Sequence, residues 1–318
     1  MDATHRPRRG RVVASVLVTV LVLALGATVG YGAYLRHLVD GGVTHQDLLP
    51  APAAAGVTAS PPRRAEAGDA LNALIIGSDE RPGESRGRSD VMVIAHVDRE
   101  RSAVTLVHLP RDMQVAIPGR GTDKLNAAYA YGGSPLLVQA VQALLGVRID
   151  HVAQMGFEGF KAMTDAVGGV DVDVAEASPG FPQGQAHLDG ARALEFVRER
   201  YHLPEGDISR GRREQAFIKG LLMKASSAET VRDPRAVAGF IDAAARHATV
   251  DRDLTTDRIQ SLALELRSLR AGDIRFVTAP ISGFATRPDG ASIDVVDAPA
   301  MARLGQALAR DEMDGYRG

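Results

Sequence analysis

From Val12 to Leu35 the chain runs for 24 residues without a charged side chain. Coiled at roughly 1.5 Å per residue, such a run is about 36 Å long, enough to cross the hydrocarbon layer of a bilayer. Arg6, Arg8, Arg9 and Arg11 stand before it; Arg36 follows, and then no Lys or Arg until Arg63. The positive-inside rule puts the N-terminus in the cytoplasm and the bulk of the chain outside. Tyr31 and Tyr34 fall near the outer end, where interfacial aromatics are favoured. A cleaved signal peptide is the rival reading, but its apolar core is typically only ~7–15 residues. The expected order is a cytoplasmic tail (1–11), a single transmembrane helix (12–35), a linker (36–68) and an extracytoplasmic domain (69–318). Residues 40–67 are rich in Ala and Pro without a sustained period, which predicts an extended, mobile tether that keeps the domain near the bilayer.

Some 250 residues suit one large α/β domain better than two small ones. Apolar residues make up 45% of the chain but aromatics only 4%, and Trp is absent, so Val, Leu, Ile and Ala must fill the core. A net charge of −2 gives no general attraction for nucleic acid. The absence of Cys excludes disulfides, thiolate metal sites and a Cys nucleophile.

Leu71–Ile76 is a nearly continuous apolar run ending at Gly77, the pattern of a buried strand. Val91–Val97 and Val104–Leu109 read the same way, and the short polar connection DRERSA between them predicts an antiparallel hairpin. Residues 77–90, GSDERPGESRGRSD, form a long charged loop, and loops of that length inside a domain are usually functional. Ser134-Pro135 opens a helix with Leu137, Val141 and Leu144 on one face, closed by Gly146. Phe157, Phe160, Met163 and Val167 mark a second helix, and VDVDV at 170–174 a strand. Further helices are expected at Asp189–Glu199, about 209–227, Asp233–Ala248 and about 256–270. Strands near Ile274–Thr278 and Ile293–Val296 and a helix over 300–310 finish the chain. The fold class is α/β, a central mixed sheet flanked by helices.

Asp79 and Asp90 share one loop between two buried strands. If those strands are neighbours, both carboxylates meet at one edge of the sheet. Two hard oxygen ligands plus substrate phosphate is the usual way to hold Mg²⁺. A loop fixed by Asp–Arg pairs and Asx turns accounts for the same residues. Arginines gather at element ends: Arg81, Arg86 and Arg88 in that loop, Arg111 in LPRD, Arg198 and Arg200 in FVRER, and Arg210, Arg212 and Arg213 at the start of a helix. The planar guanidinium fork matches phosphate, and a helix start favours anions. For any single Arg, a solvated face or a surface ion pair explains it as well. His96, His108 and His151 lack ligand spacing and read as packed or surface residues. No G-x-S-x-G, Walker A or H-E-x-x-H motif appears.

Five blocks in series carry a resemblance: IIGSDERPGESRGRSDVMVIAHVD, VTLVHLPRDMQVAIPG, KLNAAYAYGG, IDHVAQMGFEGFKAMTDAVGGVDVDV and LDGARALEFVRERYHLPEGDISRGRREQAFIKGLL. Over residues 71–225 they resemble the LytR–CpsA–Psr family. The resemblance implies that Asp79 and Asp90 are Mg²⁺-associated. It implies that Arg81, Arg88, Arg111, Arg198, Arg200 and Arg210 contact pyrophosphate or serve catalysis. Arg213 and Gln215 fall on the arginine and second glutamine of the family's R-Q-Q turn, and Lys124 and Asn126 on its K-x-N-A-A-Y block beside the site. Asp112 and Asp207 are candidates to orient the arginines. The first glutamine of R-Q-Q is Glu214 here; flanked by Arg213 and Gln215, it is expected to face outward. The family's apolar tunnel for a polyprenyl chain would be lined by Leu136, Leu137, Val138, Val141, Phe157, Phe160 and Met163, residues that ordinary core packing explains equally well.

The implied activity is a Mg²⁺-dependent phosphotransfer with pyrophosphatase as a candidate side activity. The donor is a polyprenyl-pyrophosphate-linked glycopolymer, the acceptor a peptidoglycan hydroxyl; the bilayer is a partner and nucleic acid is not. Asp79, Asp90 and Asp207 all stand as conceivable general bases. A transcription attenuator using the helix after Arg210 is opposed by the topology, and a lipid-binding sensor without turnover by the retained Asp and Arg set.

Overall fold

The structure, a computed structural model, describes residues 30–51, 60–78 and 89–317. A helix over residues 30–42 (α1) leads into β1 (Thr44–Gln46). The main sheet also contains β2 (Leu71–Ser78), β3 (Ser89–Val97), β4 (Val104–His108), β7 (His151–Gly156), β10 (Ala248–Asp251) and β11 (Ile274–Thr278), in the order β1-β10-β7-β2-β3-β4-β11. Strand β2 runs antiparallel to β3 and parallel to β7, and β4 runs antiparallel to β3 and parallel to β11, so the sheet is mixed. The β3–β4 hairpin forms as its polar connection predicts: the Asp98 carboxylate accepts from the Ser102 amide at 2.8 Å, the Ala103 amide at 3.1 Å and the Ser102 hydroxyl at 2.5 Å.

Strand pleating divides the sheet into two faces. Leu74, Ile76, Met92, Ile94, Val107 and Val152 enter the main core on one face. This face is covered by α2 (Leu125–Leu145) and α9 (Ala298–Arg310), which contribute Leu137, Val138, Val141, Met301 and Leu304. Helix α2 starts earlier than the sequence predicts. It breaks at Gly132 and Gly133, where φ reaches +62°, and Ser134-Pro135 opens its second half. Small hairpins, β5 (Gln114–Ile117) with β6 (Gly121–Lys124) and β12 (Ile281–Thr286) with β13 (Ser292–Val296), sit outside the main sheet.

The opposite face carries Ala73, Ile75 and Gly77, paired with Ala95, Val93 and Val91 on one side and with His151, Ala153 and Met155 on the other. Helix α3 (Phe157–Ala166) packs here, Gly159 lying against Met155 and His247. A second core joins α3 to the hairpin β8 (Val170–Val174) with β9 (Gly184–Leu188), to α4 (Gly190–Arg198) and to α5 (Asp207–Ala225). Then α6 (Ala228–Arg232) and α7 (Pro234–His247) follow, α7 lying against α3, and α8 (Thr256–Glu265). Arg36 pairs with Asp257 at 2.7 Å and Arg101 with Glu265 at 2.7 Å, so α8 crosses the end of the sheet at which β2 and β4 begin.

One sequence-based expectation changes, and another falls mostly outside the described residues. The linker expected over 36–68 belongs in part to the domain: β1 pairs with β10, Leu48 enters the main core, and Ala67 is buried in a short turn of 3₁₀ helix against α9. A three-residue strand is too short to show a period against an Ala- and Pro-rich background. Of the transmembrane run, residues 12–29 lie outside the described residues. Among those described, no helix is long and apolar enough to cross a membrane.

Candidate functional site

The carboxyl ends of β2, β4, β7 and β11 lie together with the start of β3. Ser78 is opposite both Ser89 and Gly156, and His108 is opposite Val93 and Thr278. Ligands of open α/β sheets bind at strand carboxyl ends, where loops and helix starts bring polar groups together. Because β2 and β3 are neighbours, the connection between them leaves from Ser78 and returns at Ser89 at this end. Asp79, Arg81 and Arg88 belong to that loop and lie outside the described residues.

Asp90 on β3 accepts a hydrogen bond from Arg111 Nη1 at 2.6 Å. Arg111 follows β4, and its carbonyl accepts from the amide of Asn126 at 3.0 Å, while Met113 accepts from Leu125 at 2.8 Å. These bonds pin the LPRD turn to the start of α2. Asp112 lies 3.6 Å from Arg111 Nε and accepts from Lys124 Nζ at 2.9 Å. Asp90, Arg111, Asp112 and Lys124 therefore form one row of alternating charge, half-buried or buried, in which each carboxylate fixes the cation beside it.

Arg198, the last residue of α4, lies over the Phe157 ring at 4.8 Å. Phe157 begins α3 directly after β7, so this exposed guanidinium stands at the same end of the sheet. Arg200 donates to the Tyr201 hydroxyl at 2.7 Å and stacks on its ring. Glu199 accepts from the amides of Tyr201 and His202, shaping the turn that carries Arg200.

Helix α5 brings its first turns over His108. A Cβ at Gly211 would sit 3.0 Å from His108 Nε2, so the imidazole packs close to bare helix backbone. Arg210 Nε lies 3.3 Å from Glu214 Oε1, and Glu214 Oε2 lies 3.9 Å from His108 Nδ1. All three residues are buried. Burial, aided by the Arg210 cation, pushes the His108 imidazole down to about 4, so it is neutral near pH 7.

This overturns the expectation that Glu214 faces outward. Positions four apart share a helix face, so Glu214 follows Arg210 inward. Arg213 turns to the second core instead: it stacks over Phe196 at 4.5 Å and donates to the Glu176 carbonyl at 2.7 Å and Ser178 Oγ at 3.0 Å. Burial lowers its pKa, and its fork is spent on protein acceptors. Gln215 Nε2 donates to Thr278 Oγ1 at 2.7 Å, tying α5 to the end of β11. Asp207 is the first residue of α5. The sequence reads His108 as a packed or surface residue. It is packed, but within the polar cluster, and the cue was its place at a strand end directly before LPRD.

The apolar lining also moves. Leu137, Val138 and Val141 belong to the main core on the far side of the sheet, and Leu136 packs against it. The surface that continues into the polar cluster is the opposite face. There Ile75 is 39% exposed, and Val91, Ala95, Ala153, Met155 and Phe276 are only half-buried. With small side chains at Ala73, Ala95 and Ala153 and Ile75 exposed, this face is only partly covered, a shallow apolar trough beside α3, whose Phe157, Phe160 and Met163 are also half-buried.

The sequence profile of the LytR_cpsA_psr family matches residues 45–310. A TagU polyisoprenyl-teichoic acid–peptidoglycan teichoic acid transferase of Oceanobacillus iheyensis is 37% identical over 204 residues, 61% of this chain and 62% of that protein. The chain thus spans less than two thirds of that relative. The Enterococcus faecalis protein of the same name is 32% identical over 245 residues, 75% of this chain and 78% of that one. The crystal structure of Bacillus subtilis TagV superposes with a TM-score of 0.63 at 24% identity, covering 78% of this chain and 98% of TagV, a likeness of fold. With a profile match that starts inside β1 and ends with α9, the chain belongs to the LytR–CpsA–Psr family.

Proposed function

We propose that this chain is a membrane-anchored, extracytoplasmic transferase that moves a glycopolymer from a polyprenyl pyrophosphate to a peptidoglycan hydroxyl. The observation that carries this reading is the junction of an apolar trough with a row of fixed cations and carboxylates at the carboxyl ends of the strands. An isoprenoid chain suits the trough, and the pyrophosphate then falls among Arg111, Arg198, Arg200 and Arg210. The names of the teichoic acid transferases to which the chain is similar support the same chemistry.

In this reading the acceptor oxygen bonds to the sugar-bearing phosphorus, the bridging P–O bond breaks, and polyprenyl phosphate leaves. The hydroxyl proton passes to a carboxylate, for which Asp79, Asp90 and Asp207 stand as candidates. Arg111, held by Asp90 and Asp112, and Lys124, held by Asp112, meet the developing charge without reorganising, the condition under which such groups stabilise a transition state most. No three metal-binding side chains cluster among the described residues, so the Mg²⁺ reading rests on Asp90 together with Asp79, which lies outside the described residues. Bound there, Mg²⁺ would share its ligands with substrate phosphate and neutralise the pyrophosphate.

The test compares Asp90→Ala and Arg198→Lys with the wild type in transfer rate and in melting temperature. Each should lose a factor of about 10²–10³ in turnover while melting within a few degrees of the wild type. Arg198→Lys retains the charge and loses the fork. Normal turnover in a stable Asp90→Ala protein refutes its role at the phosphate.

A further inference from the structure

Helix α1 lies beside α7 and runs in the same direction. The Tyr31 hydroxyl donates to the Pro234 carbonyl at 2.7 Å, at the first residue of α7, and Gly42 lies against Ala245 near its end. The end of α7 is fixed at the site end of the sheet, where His247 meets Gly159. Its start is therefore about 20 Å away, from 14 residues at roughly 1.5 Å each. Arg36 pairs with Asp257 at the start of α8, which crosses the end of the sheet opposite the site. Residue 30, where the charge-free run joins the described chain, thus stands at the end of the molecule opposite Asp90 and Arg111.

The surface around that point is unlike an ordinary solvated corner. Tyr34 is 50% exposed, Met223 on α5 is 47% exposed and Val231 on α6 is 60% exposed. Arg232 and Arg235 are exposed beside them. Exposed apolar side chains among charged ones, here Arg232 and Arg235 with the acids Glu229 and Asp233, match a headgroup layer, where the apolar groups enter the acyl boundary and each cation gains from anionic lipid. Helix α8, at the same end, buries none of its residues, although Ile259, Leu262 and Leu266 are half-buried along one side.

We propose that the α5–α6–α7 corner, centred on Val231, Arg232 and Arg235, rests on an anionic bilayer surface. The far end of the apolar trough, which α8 crosses, then lies on the membrane side of the domain. The inference rests on the reading that residues 12–35 span the membrane, and it adds which face of the domain the membrane touches.

The native chain has no cysteine, so single labels are clean. Val231→Cys and Phe284→Cys, the latter 58% exposed on β12, which follows the site end of β11, are prepared in the full chain. Each carries an environment-insensitive fluorophore and is reconstituted in vesicles of phosphatidylglycerol and phosphatidylcholine with a spin-labelled acyl chain as quencher. The expected result is quenching several-fold stronger at position 231 than at 284. Protein that floats with the vesicles but is quenched equally at both positions overturns the docking face alone. Protein that is extracted from the vesicles by alkaline carbonate overturns the anchor, and the docking face with it.

Discussion

Glu214 places a charge where the family pattern has a neutral amide, and its partners determine the effect. Arg210 takes up that charge at 3.3 Å, so the guanidinium nearest the helix start is partly neutralised before any anion arrives. Glu214→Gln should then tighten binding of a polyprenyl pyrophosphate by about tenfold, the result of removing one like charge near the phosphate in a medium of intermediate dielectric. It should also lower the melting temperature of the ligand-free protein, because Arg210 loses the buried carboxylate beside it, and ligand should restore the loss. Calorimetric titration with melting curves checks both, and weaker binding by the variant would mean that Glu214 supports the site in another way. His108 adds a pH dependence. Its folded pKa of about 4 lies below the ordinary value of 6.5, so between those limits the unfolded chain takes up a proton that the native chain refuses. Stability is therefore unaffected above pH 6.5 and falls as pH drops through that window, by about 3 kcal/mol in total. Urea unfolding of wild type and His108→Gln from pH 7 to pH 4 should show the two converging in stability by that amount. The chemistry of the cluster was legible in the sequence because Arg and Asp at strand and helix ends stand out from the pattern. The facing of Glu214 and Arg213 was not, since one residue along a helix turns a side chain by about 100°.

Among the elements, those with long, one-sided periods were the ones readable in advance. The VDVDV strand, the helix capped by Asp189 and the helix begun by Asp233-Pro234 stand where propensity and capping put them, with Asp189 accepting from the Arg192 amide and Asp233 from the Arg235 amide. The hidden elements are those whose identity depends on partners distant in sequence. Strand β7, HVAQMG, lacks both alternation and a continuous apolar run, yet it lies between β2 and β10, and Gln154 is satisfied there by the hydroxyls of Tyr129 and Ser134 on α2. β10 follows α7 without a turn and is recognisable only through its pairing with β7 and β1. The same dependence left Leu137 and Val141 open between core and lining, and the structure puts them in the main core. Leu137 and Val141 have the period of an amphipathic helix, but nothing in that period says which face of a sheet the helix will cover.

At the scale of the whole molecule, the two faces of one sheet have divided the work. One is filled by α2 and α9 and supplies the stability of the domain; the other is left partly open, with small residues where a filled core would carry large ones. Strand β2 has eight residues, so at about 3.3 Å each the open face is about 26 Å long. A polyprenyl phosphate bound with its phosphate among the arginines should therefore gain affinity with every isoprene unit until the chain reaches the far end, and gain nothing more from longer chains. Burial contributes about 0.8 kcal/mol per CH₂, reduced by the cost of ordering the chain, so each unit on the rising part should tighten binding by more than tenfold. Titrations of polyprenyl phosphates of increasing length against the full chain in detergent would trace that curve. Ala153→Phe, which puts a ring in the middle of the trough, should move the plateau to shorter chains and leave the affinity for the shortest phosphate unchanged. A dissociation constant that is the same for every chain length would mean that the phosphate alone is recognised and that the open face serves some other end.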